Sequence, residues 1–120
     1  MDKKSLGKFG EDKAVSFLRR KGYSIIQRNF SCRFGEIDII ARKGQFIAFV
    51  EVKLRKNADF AAAREFVTSA KQRRIISTAS LWLSIKNCEL QPRFDIIEIY
   101  APEGENSRRL EINHIEAAFE

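Results

Sequence analysis

The feature that most constrains this chain is a pair of apolar segments, 35–43 and 46–53, separated by Gly44-Gln45. Both segments are rich in the β-branched and aromatic residues that favour strands, and the glycine supplies the backbone freedom that a tight hairpin needs. If the loop has two residues, residue 43 pairs with residue 46, and Asp38 then faces Glu51. The sequence therefore predicts a β-hairpin that carries two opposed acidic residues.

This acidic pair lies on strands that are otherwise apolar. Side chains alternate between the faces of a strand, so Phe49, Glu51 and Lys53 share one face. Opposed residues have Cβ atoms about 5 Å apart, where like charges destabilise the pair. Such a pair is unfavourable unless a proton or a divalent cation lies between the oxygens. The alternative is a solvated pair in which Lys53 neutralises Glu51, and the hairpin alone leaves both interpretations open.

Composition limits the class of protein. The 120 residues predict one domain, 1–120, and the 44% hydrophobic and 32% charged content is typical of a soluble globular protein. Lys and Arg number 22 against 16 acidic residues, and the net charge of +6 favours a polyanionic partner. No apolar run approaches the roughly 20 residues of a membrane span, and the charged start lacks a signal peptide's apolar region. We therefore expect a cytoplasmic protein with no membrane contact, in which Cys32 and Cys88 are reduced packing residues.

The rest of the chain predicts an α/β protein. Hydrophobic periodicity and capping residues predict a helix over 5–21, a strand over 23–30, a polar connection over 29–34, a mobile loop over 55–66, a helix from Thr68 or Ser69 to Lys86, a strand over 93–100, and a short strand or irregular tail over 109–119. This order predicts a mixed central sheet flanked by helices. The strand–helix–strand crossover should make the Glu51 strand and the Asp95 strand parallel.

Cations at the start of the second helix point to an anion nearby. Lys71, Arg73 and Arg74 lie where the helix dipole favours acidic residues, so a phosphate could compensate them, although a solvated charged face is the alternative, and is preferred for Arg73. Elsewhere the polar and aromatic candidates have structural interpretations. We expect His114 to be a packing or surface residue rather than a ligand, and Asp95 to cap or order the sheet, with a catalytic role as the alternative.

Several short motifs resemble known families. Glu11, Asp38 and Glu51-Val52-Lys53 resemble the PD-(D/E)XK nuclease superfamily, whose Pro-Asp pair is Ile37-Asp38 here. A closer resemblance, nearly end to end, is to the YraN-like family of bacterial proteins, grouped with Holliday-junction-resolvase-like nucleases. Its landmarks are Gly7-x-x-Gly10-Glu11, Gly22-Tyr23, Arg28-Asn29, Gly35-Glu36-Ile37-Asp38, Val50-Glu51-Val52-Lys53, Val67-Thr68, Lys71-Gln72, Trp82-Leu83, Arg93-Phe94-Asp95 and Ala118-Phe119.

The resemblance implies a restriction-endonuclease-like αβββαβ core and a set of site residues. Asp38 and Glu51 would hold Mg²⁺ or Mn²⁺, since hard cations take carboxylate oxygens. Lys53 would orient or activate the attacking water, and Glu11 would add an acidic contact. The expected nucleic-acid-binding residues are Arg55, Lys56, Lys71, Gln72 and Arg74.

We therefore expect a metal-dependent endonuclease acting on DNA, with branched or structured DNA as the preferred substrate. Analogy with resolvases suggests a homodimer. One alternative is a non-catalytic nucleic-acid-binding module that keeps the nuclease fold, and another is an accessory factor whose partner is a protein. The acidic pair favours the enzyme, because a pure binder has no need for opposed carboxylates near phosphate.

Overall fold

The computed structural model describes residues 3–56 and 67–120. Its elements are helix α1 (Lys3–Arg20), strands β1 (Ser24–Cys32), β2 (Gly35–Lys43) and β3 (Phe46–Arg55), helix α2 (Ser69–Ile85), strand β4 (Gln91–Tyr100), a 3-10 turn (Gly104–Asn106) and strand β5 (Glu111–Phe119). This order confirms the predicted succession of a helix, three strands, a helix and further strands. The uncertain tail of the chain is a true strand.

The strands form one mixed sheet between two helices. Within the described residues five strands follow the order β1-β2-β3-β4-β5, of which only the neighbours β3 and β4 are parallel. Helix α2 connects these two strands, so the predicted crossover is confirmed. Val50 packs with Leu18 in the core beneath α1, and Phe49 packs with Trp82 in the core beneath α2. The architecture is compatible with a restriction-endonuclease-like fold.

Helix α2 begins where the sequence predicts. Thr68 is its N-cap, and the Thr68 hydroxyl accepts a hydrogen bond from the backbone N–H of Lys71 at 3.2 Å. Hydrophobic periodicity predicts that Ala70 and Ile85 lie on the buried side of this helix, and that prediction is wrong at both positions, because Ala70 is exposed and Ile85 is 62% exposed. Trp82 already reaches the edge strand β1, where its indole donates to the Gln27 side chain at 2.9 Å, so the last turn extends beyond the covered sheet. Within the described residues, neither helix is long and apolar enough to cross a membrane.

Two strand boundaries differ from the prediction. Most of the expected connection 29–34 belongs to β1, because its backbone pairs with β2 as far as Cys32 opposite Gly35. Arg55, expected in a loop, is the last residue of β3 and pairs with Tyr100 of β4. Backbone pairing along a neighbouring strand outweighs the polar character of both segments. The rest of the expected loop, 57–66, lies outside the described residues.

Candidate active site

The β2–β3 hairpin sets the position of the two acidic residues. Lys43 pairs with Phe46 as predicted, and the backbone ladder ends one pair before Asp38 and Glu51. Beyond that point the Asp38 side chain substitutes for the ladder, because its Oδ2 accepts a hydrogen bond from the backbone N–H of Val52 at 2.8 Å. This bond fixes the Asp38 carboxylate against β3, beside Glu51.

The two carboxylates oppose each other electrostatically. Burial, followed by the negative charge of Glu51, raises the pKa of Asp38 to about 7, although the hydrogen bond from Val52 acts in the opposite direction. The charges of Glu11 and Glu36 raise the Asp38 pKa further. At neutral pH the site therefore holds a proton that an exposed aspartate would have released, or it requires a cation. This is the electrostatic conflict that the opposed strands predict.

Lys71 supplies one cation to this site. Its Nζ lies 2.7 Å from Glu51 Oε1, and it comes from the first turn of α2. Burial works against the charge of Lys71, but the hydrogen bond and the charge of Glu51 outweigh burial and raise the Lys71 pKa. The anion that compensates this cation in the structure is thus a carboxylate of the protein. Its predicted contact with phosphate stays a prediction.

Lys53 lies beside the same groups on the face of β3 that carries Glu51. Burial lowers the pKa of Lys53, and the neighbouring ammonium of Lys71 lowers it further, against the attraction of Glu51 and Asp38. A lowered pKa makes it easier for a lysine to reach the neutral amine form, which can accept a proton from water. Lys53 is thus next to the carboxylates, as the sequence predicts.

Glu11 joins the cluster from helix α1. Its Oε1 accepts hydrogen bonds from Arg28 Nε at 2.7 Å and from Asn29 Nδ2 at 3.0 Å. Asn29 has a left-handed backbone conformation, with φ of 53°, so β1 is locally distorted where it holds Glu11. Sequence reasoning did not assign a role to Arg28 and Asn29. The signal was an adjacent polar pair within a strand.

An open groove leads to Glu11. Its volume is about 870 Å³, and it runs between the first half of α1 and strands β1 and β2. The lining combines cations with acidic groups and comprises Lys4, Ser5, Gly7, Lys8, Glu11, Arg28, Asn29 and Glu36. At Gly7 a side chain would meet nothing within 4 Å, so this stretch of the helix is accessible. The acidic cluster can therefore be approached from the α1 side.

The chemistry of this donor set fits Mg²⁺ or Mn²⁺. Among the described residues there is no group of three or more His, Cys, Asp or Glu side chains arranged for a metal ion. Mg²⁺, however, is usually held by one or two carboxylates, with water and substrate phosphate completing the octahedron. Asp38 Oδ1 and Glu51 provide two such carboxylates, and Lys71 would share or yield its place on Glu51.

The expected nucleic-acid-binding residues have different surroundings. Lys56 and Arg74 are exposed. The Gln72 side chain donates to the Val67 carbonyl at 3.0 Å, so it stabilises the start of α2. Arg55 differs from the expectation of an exposed loop cation, because its side chain is only 8% exposed and pairs with Glu98. We assign Arg55 to the stability of the β3–β4 pair.

Asp95 and His114 form a separate buried cluster. Asp95 Oδ2 lies 2.8 Å from His114 Nε2 and 2.7 Å from Arg93 Nη2, and Asp95 Oδ1 accepts from the backbone N–H of Ala117 at 3.1 Å. This last bond bridges β4 and β5 where their register shifts. Asp95 thus orders the sheet and His114 is a buried packing residue, as predicted.

Comparisons with known proteins agree with the motif pattern. Residues 10–99 match the family described as "Uncharacterised protein family UPF0102". A UPF0102 protein of Clostridium perfringens (strain 13 / Type A) is 48% identical over 117 residues, which cover 97% of this chain and 94% of the relative. The UPF0102 proteins of Geotalea daltonii and Caldicellulosiruptor saccharolyticus are 47% and 43% identical, over 99% of this chain and 92% and 100% of their own lengths. These matches confirm the resemblance to the YraN-like family.

Proposed function

This chain belongs to the UPF0102 family, and we propose that it is a metal-dependent nuclease of the PD-(D/E)XK type that hydrolyses phosphodiester bonds in DNA. One observation carries the proposal. Two carboxylates, Asp38 and Glu51, lie side by side just beyond the paired part of the β2–β3 hairpin. Burial and the negative charge of Glu51 raise the pKa of Asp38 to about 7, so ionising both groups is unfavourable. A protein that only needed a stable sheet would gain by placing an apolar residue there.

The proposed roles follow from the contacts of each side chain. Asp38 and Glu51 would hold Mg²⁺ or Mn²⁺, which supplies positive charge at phosphorus and a more acidic bound water. Lys53, with its lowered pKa, would accept the proton of the attacking water. Glu11, held by Arg28 and Asn29, keeps an acidic group at the edge of the cluster.

The bond changes in this reaction balance without further reagents. The water oxygen forms a bond to phosphorus, and the bond from phosphorus to the leaving sugar oxygen breaks. The water proton passes to the Lys53 amine, and the leaving oxygen takes a proton from solvent. The net charge of +6 favours a polyanion such as DNA as the substrate.

A non-catalytic nucleic-acid-binding module is the second candidate. The observation that favours it is the ion pair at 2.7 Å between Lys71 and Glu51, which neutralises one carboxylate within the protein. In that case the cluster would be structural and no metal-dependent cleavage would occur.

The test is cleavage of end-labelled linear, flapped and four-way DNAs in Mg²⁺ or Mn²⁺. We expect Lys53→Ala and Asp38→Asn each to reduce the cleavage rate by about 100-fold or more, a usual contribution of a positioned proton acceptor or metal ligand. DNA affinity should remain, because one charge is a small part of a contact with many phosphates. Lys86→Ala is the matched control, since it removes an exposed lysine beyond the last turn of α2.

The outcomes separate the two candidates. Metal-dependent cleavage that Lys53→Ala removes and Lys86→Ala leaves intact supports the nuclease. Binding without cleavage of any of these DNAs by the wild type supports the binding module. If Lys53→Ala cleaves as fast as the wild type, the assignment of this site is wrong.

A further inference from the structure

An exposed aromatic ring lies at the tip of the β1–β2 hairpin. Arg33 and Phe34 form a two-residue turn between Cys32 and Gly35, and Phe34 is 36% exposed. The backbone N–H of Phe34 donates to the Cys32 sulfur at 3.4 Å. The turn is therefore ordered, and the part of the phenylalanine ring that the Arg33 guanidinium does not cover is open to a ligand.

The hairpin tip also packs closely on helix α2. A Cβ added at Gly35 would lie 3.5 Å from Arg74 Cβ and 3.5 Å from Thr78 Oγ1, and Gly35 has φ of 151°, which favours glycine. The Cys32 thiol also donates to Thr78 Oγ1 at 3.7 Å. The backbone that carries Phe34 is thus held against α2.

Three arginines surround this ring. The Arg33 guanidinium lies 4.8 Å from the Phe34 ring centroid, and Arg73 and Arg74 line the same shallow depression, of about 270 Å³, as Phe34. In the described parts of the chain, none of these three arginines has a carboxylate partner. An aromatic face among uncompensated cations is the arrangement that binds a base together with its neighbouring phosphates.

Two segments of the chain connect this surface with the candidate active site. Arg74 follows Lys71 by about one turn of α2, and Asp38 follows Phe34 by four residues, which in a strand span about 13 Å. A stacked nucleic-acid strand covers that distance in about four nucleotides. A strand whose phosphate lies at Asp38 and Glu51 can therefore reach the Phe34 ring with a nearby base.

We propose that Phe34 stacks on an unpaired base of the bound nucleic acid while Arg73 and Arg74 contact the adjacent phosphates. In a paired duplex both faces of each internal base are covered by its neighbours, so only a base that has left the stack can meet the ring. The preferred substrate is then DNA with an unpaired base, such as a flap or a bulge, within about four nucleotides of the cut. The relation to a cut rests on the proposed nuclease function, whereas the stacking itself does not.

The test measures binding without cleavage. A fully paired duplex and the same duplex with one bulged 2-aminopurine are titrated with protein in EDTA, by fluorescence and by anisotropy. We expect the wild type to bind the bulged DNA about 5- to 140-fold more tightly than the duplex, the range for stacking of one base on an aromatic side chain, and to change the fluorescence of 2-aminopurine. Phe34→Ala should remove the preference and the fluorescence change, with duplex affinity unchanged.

Three further variants complete the test. Phe34→Tyr retains an aromatic face and should retain the preference, whereas Phe34→Leu is apolar without such a face and should lose most of it. Phe46→Ala is the matched control, since Phe46 is 42% exposed at the start of β3, far along the sheet from Phe34, and should not affect the preference. Thermal unfolding confirms that each variant is folded.

The results separate this inference from the proposed function. Equal affinity of the wild type for both DNAs, or a preference that survives Phe34→Ala, overturns the stacking inference even if the protein cleaves DNA. A Phe34-dependent preference without cleavage in Mg²⁺ supports the stacking inference while the nuclease proposal fails.

Discussion

Two aspartates of one sheet, the fully buried Asp95 and the partly buried Asp38, have pKa values that are shifted in opposite directions. Burial raises the pKa of Asp95, but hydrogen bonds from His114 and Arg93 and from the backbone of Ala117 outweigh burial and hold the pKa below its usual value. For Asp38 burial and the charge of Glu51 dominate, and its pKa rises to about 7. Burial alone therefore does not distinguish a structural carboxylate from a candidate functional one.

The distinction lies in how the protein compensates each charge. Asp95 has a bidentate arginine, Arg93, and a buried histidine, both on the adjoining strands β4 and β5. Asp38 has one backbone N–H, and the nearest described cations, Lys53 and Lys71, also interact with Glu51. The under-compensated aspartate is the one that a cation from solution would stabilise.

The largest expected effect is on the compensated cluster. Asp95→Asn should lower the free energy of unfolding by about 3–5 kcal/mol, because it removes the buried charge that Arg93 and His114 both contact and leaves Arg93 with only the half-exposed carboxylate of Glu116. Urea denaturation at pH 8 measures this change. Asp12→Asn, which removes an exposed carboxylate from its ion pairs with Lys8 and Arg28, is the control and should cost about 1 kcal/mol or less. A loss below 1 kcal/mol at Asp95 would contradict the comparison.

The second prediction uses pH. The folded-state pKa of Asp38 is raised from 3.8 to about 7, so its contribution is fully present below pH 4 and is lost as the pH rises to 7. Asn at this position keeps an oxygen for the Val52 N–H but never ionises. Without divalent cations, Asp38→Asn should therefore be more stable than the wild type by about 1–3 kcal/mol at pH 8, less than the full shift allows because the pair titrates together.

The same measurement has an opposite counterpart at Asp95. Its pKa is lowered in the folded state, so its stabilising contribution is present at neutral pH and is lost as the pH falls through the folded-state value. Urea denaturation at pH 4, 6 and 8 should show the advantage of Asp38→Asn over the wild type growing with pH. A constant difference, or a variant less stable at pH 8, would show that Asp38 is not under-compensated.

Local pattern was enough to predict the centre of the site. Two-residue alternation and a two-residue loop determine which residues of a hairpin oppose each other, so Asp38 and Glu51 could be paired from the sequence. The parallel order of β3 and β4 followed from the helix between them. These inferences depend only on short-range geometry.

Contacts between distant elements could not be predicted in the same way. The contact of Lys71 with Glu51 depends on where α2 crosses the sheet, and the ion pair of Arg28 with Glu11 depends on how α1 lies over β1. Arg55 was placed in a loop because its segment is polar, yet its partner Glu98 lies 43 positions away on the adjoining strand. Periodicity in the sequence predicts which face of a helix or strand is buried, but it does not predict which other element packs against that face.

The last prediction concerns Lys71, the cation that neutralises Glu51 and that a metal ion could replace. The Lys71 side chain is about one-third exposed but its partner Glu51 is buried, so Lys71→Met should cost about 1–2 kcal/mol, between an exposed and a buried ion pair, whereas Arg93→Met should cost about 3–5 kcal/mol. Lys71→Met also frees Glu51 Oε1, which the ammonium now contacts at 2.7 Å. The variant should therefore bind Mg²⁺ more tightly, by up to about fivefold, the equivalent of a 1 kcal/mol ion pair.

Thermal shift against Mg²⁺ concentration at pH 8 measures this competition, since a ligand that binds only the folded state raises the midpoint of unfolding. Lys8→Met is the control, because Lys8 pairs with Asp12 in solvent and its loss should alter neither stability nor Mg²⁺ affinity measurably. If Lys71→Met weakens Mg²⁺ binding, Lys71 supports the carboxylates rather than competing for them. If Lys71→Met lowers the free energy of unfolding as much as Arg93→Met does, the charges of both clusters are neutralised equally well within the protein. The contrast between Asp38 and Asp95 would then give no support to a metal site at Asp38.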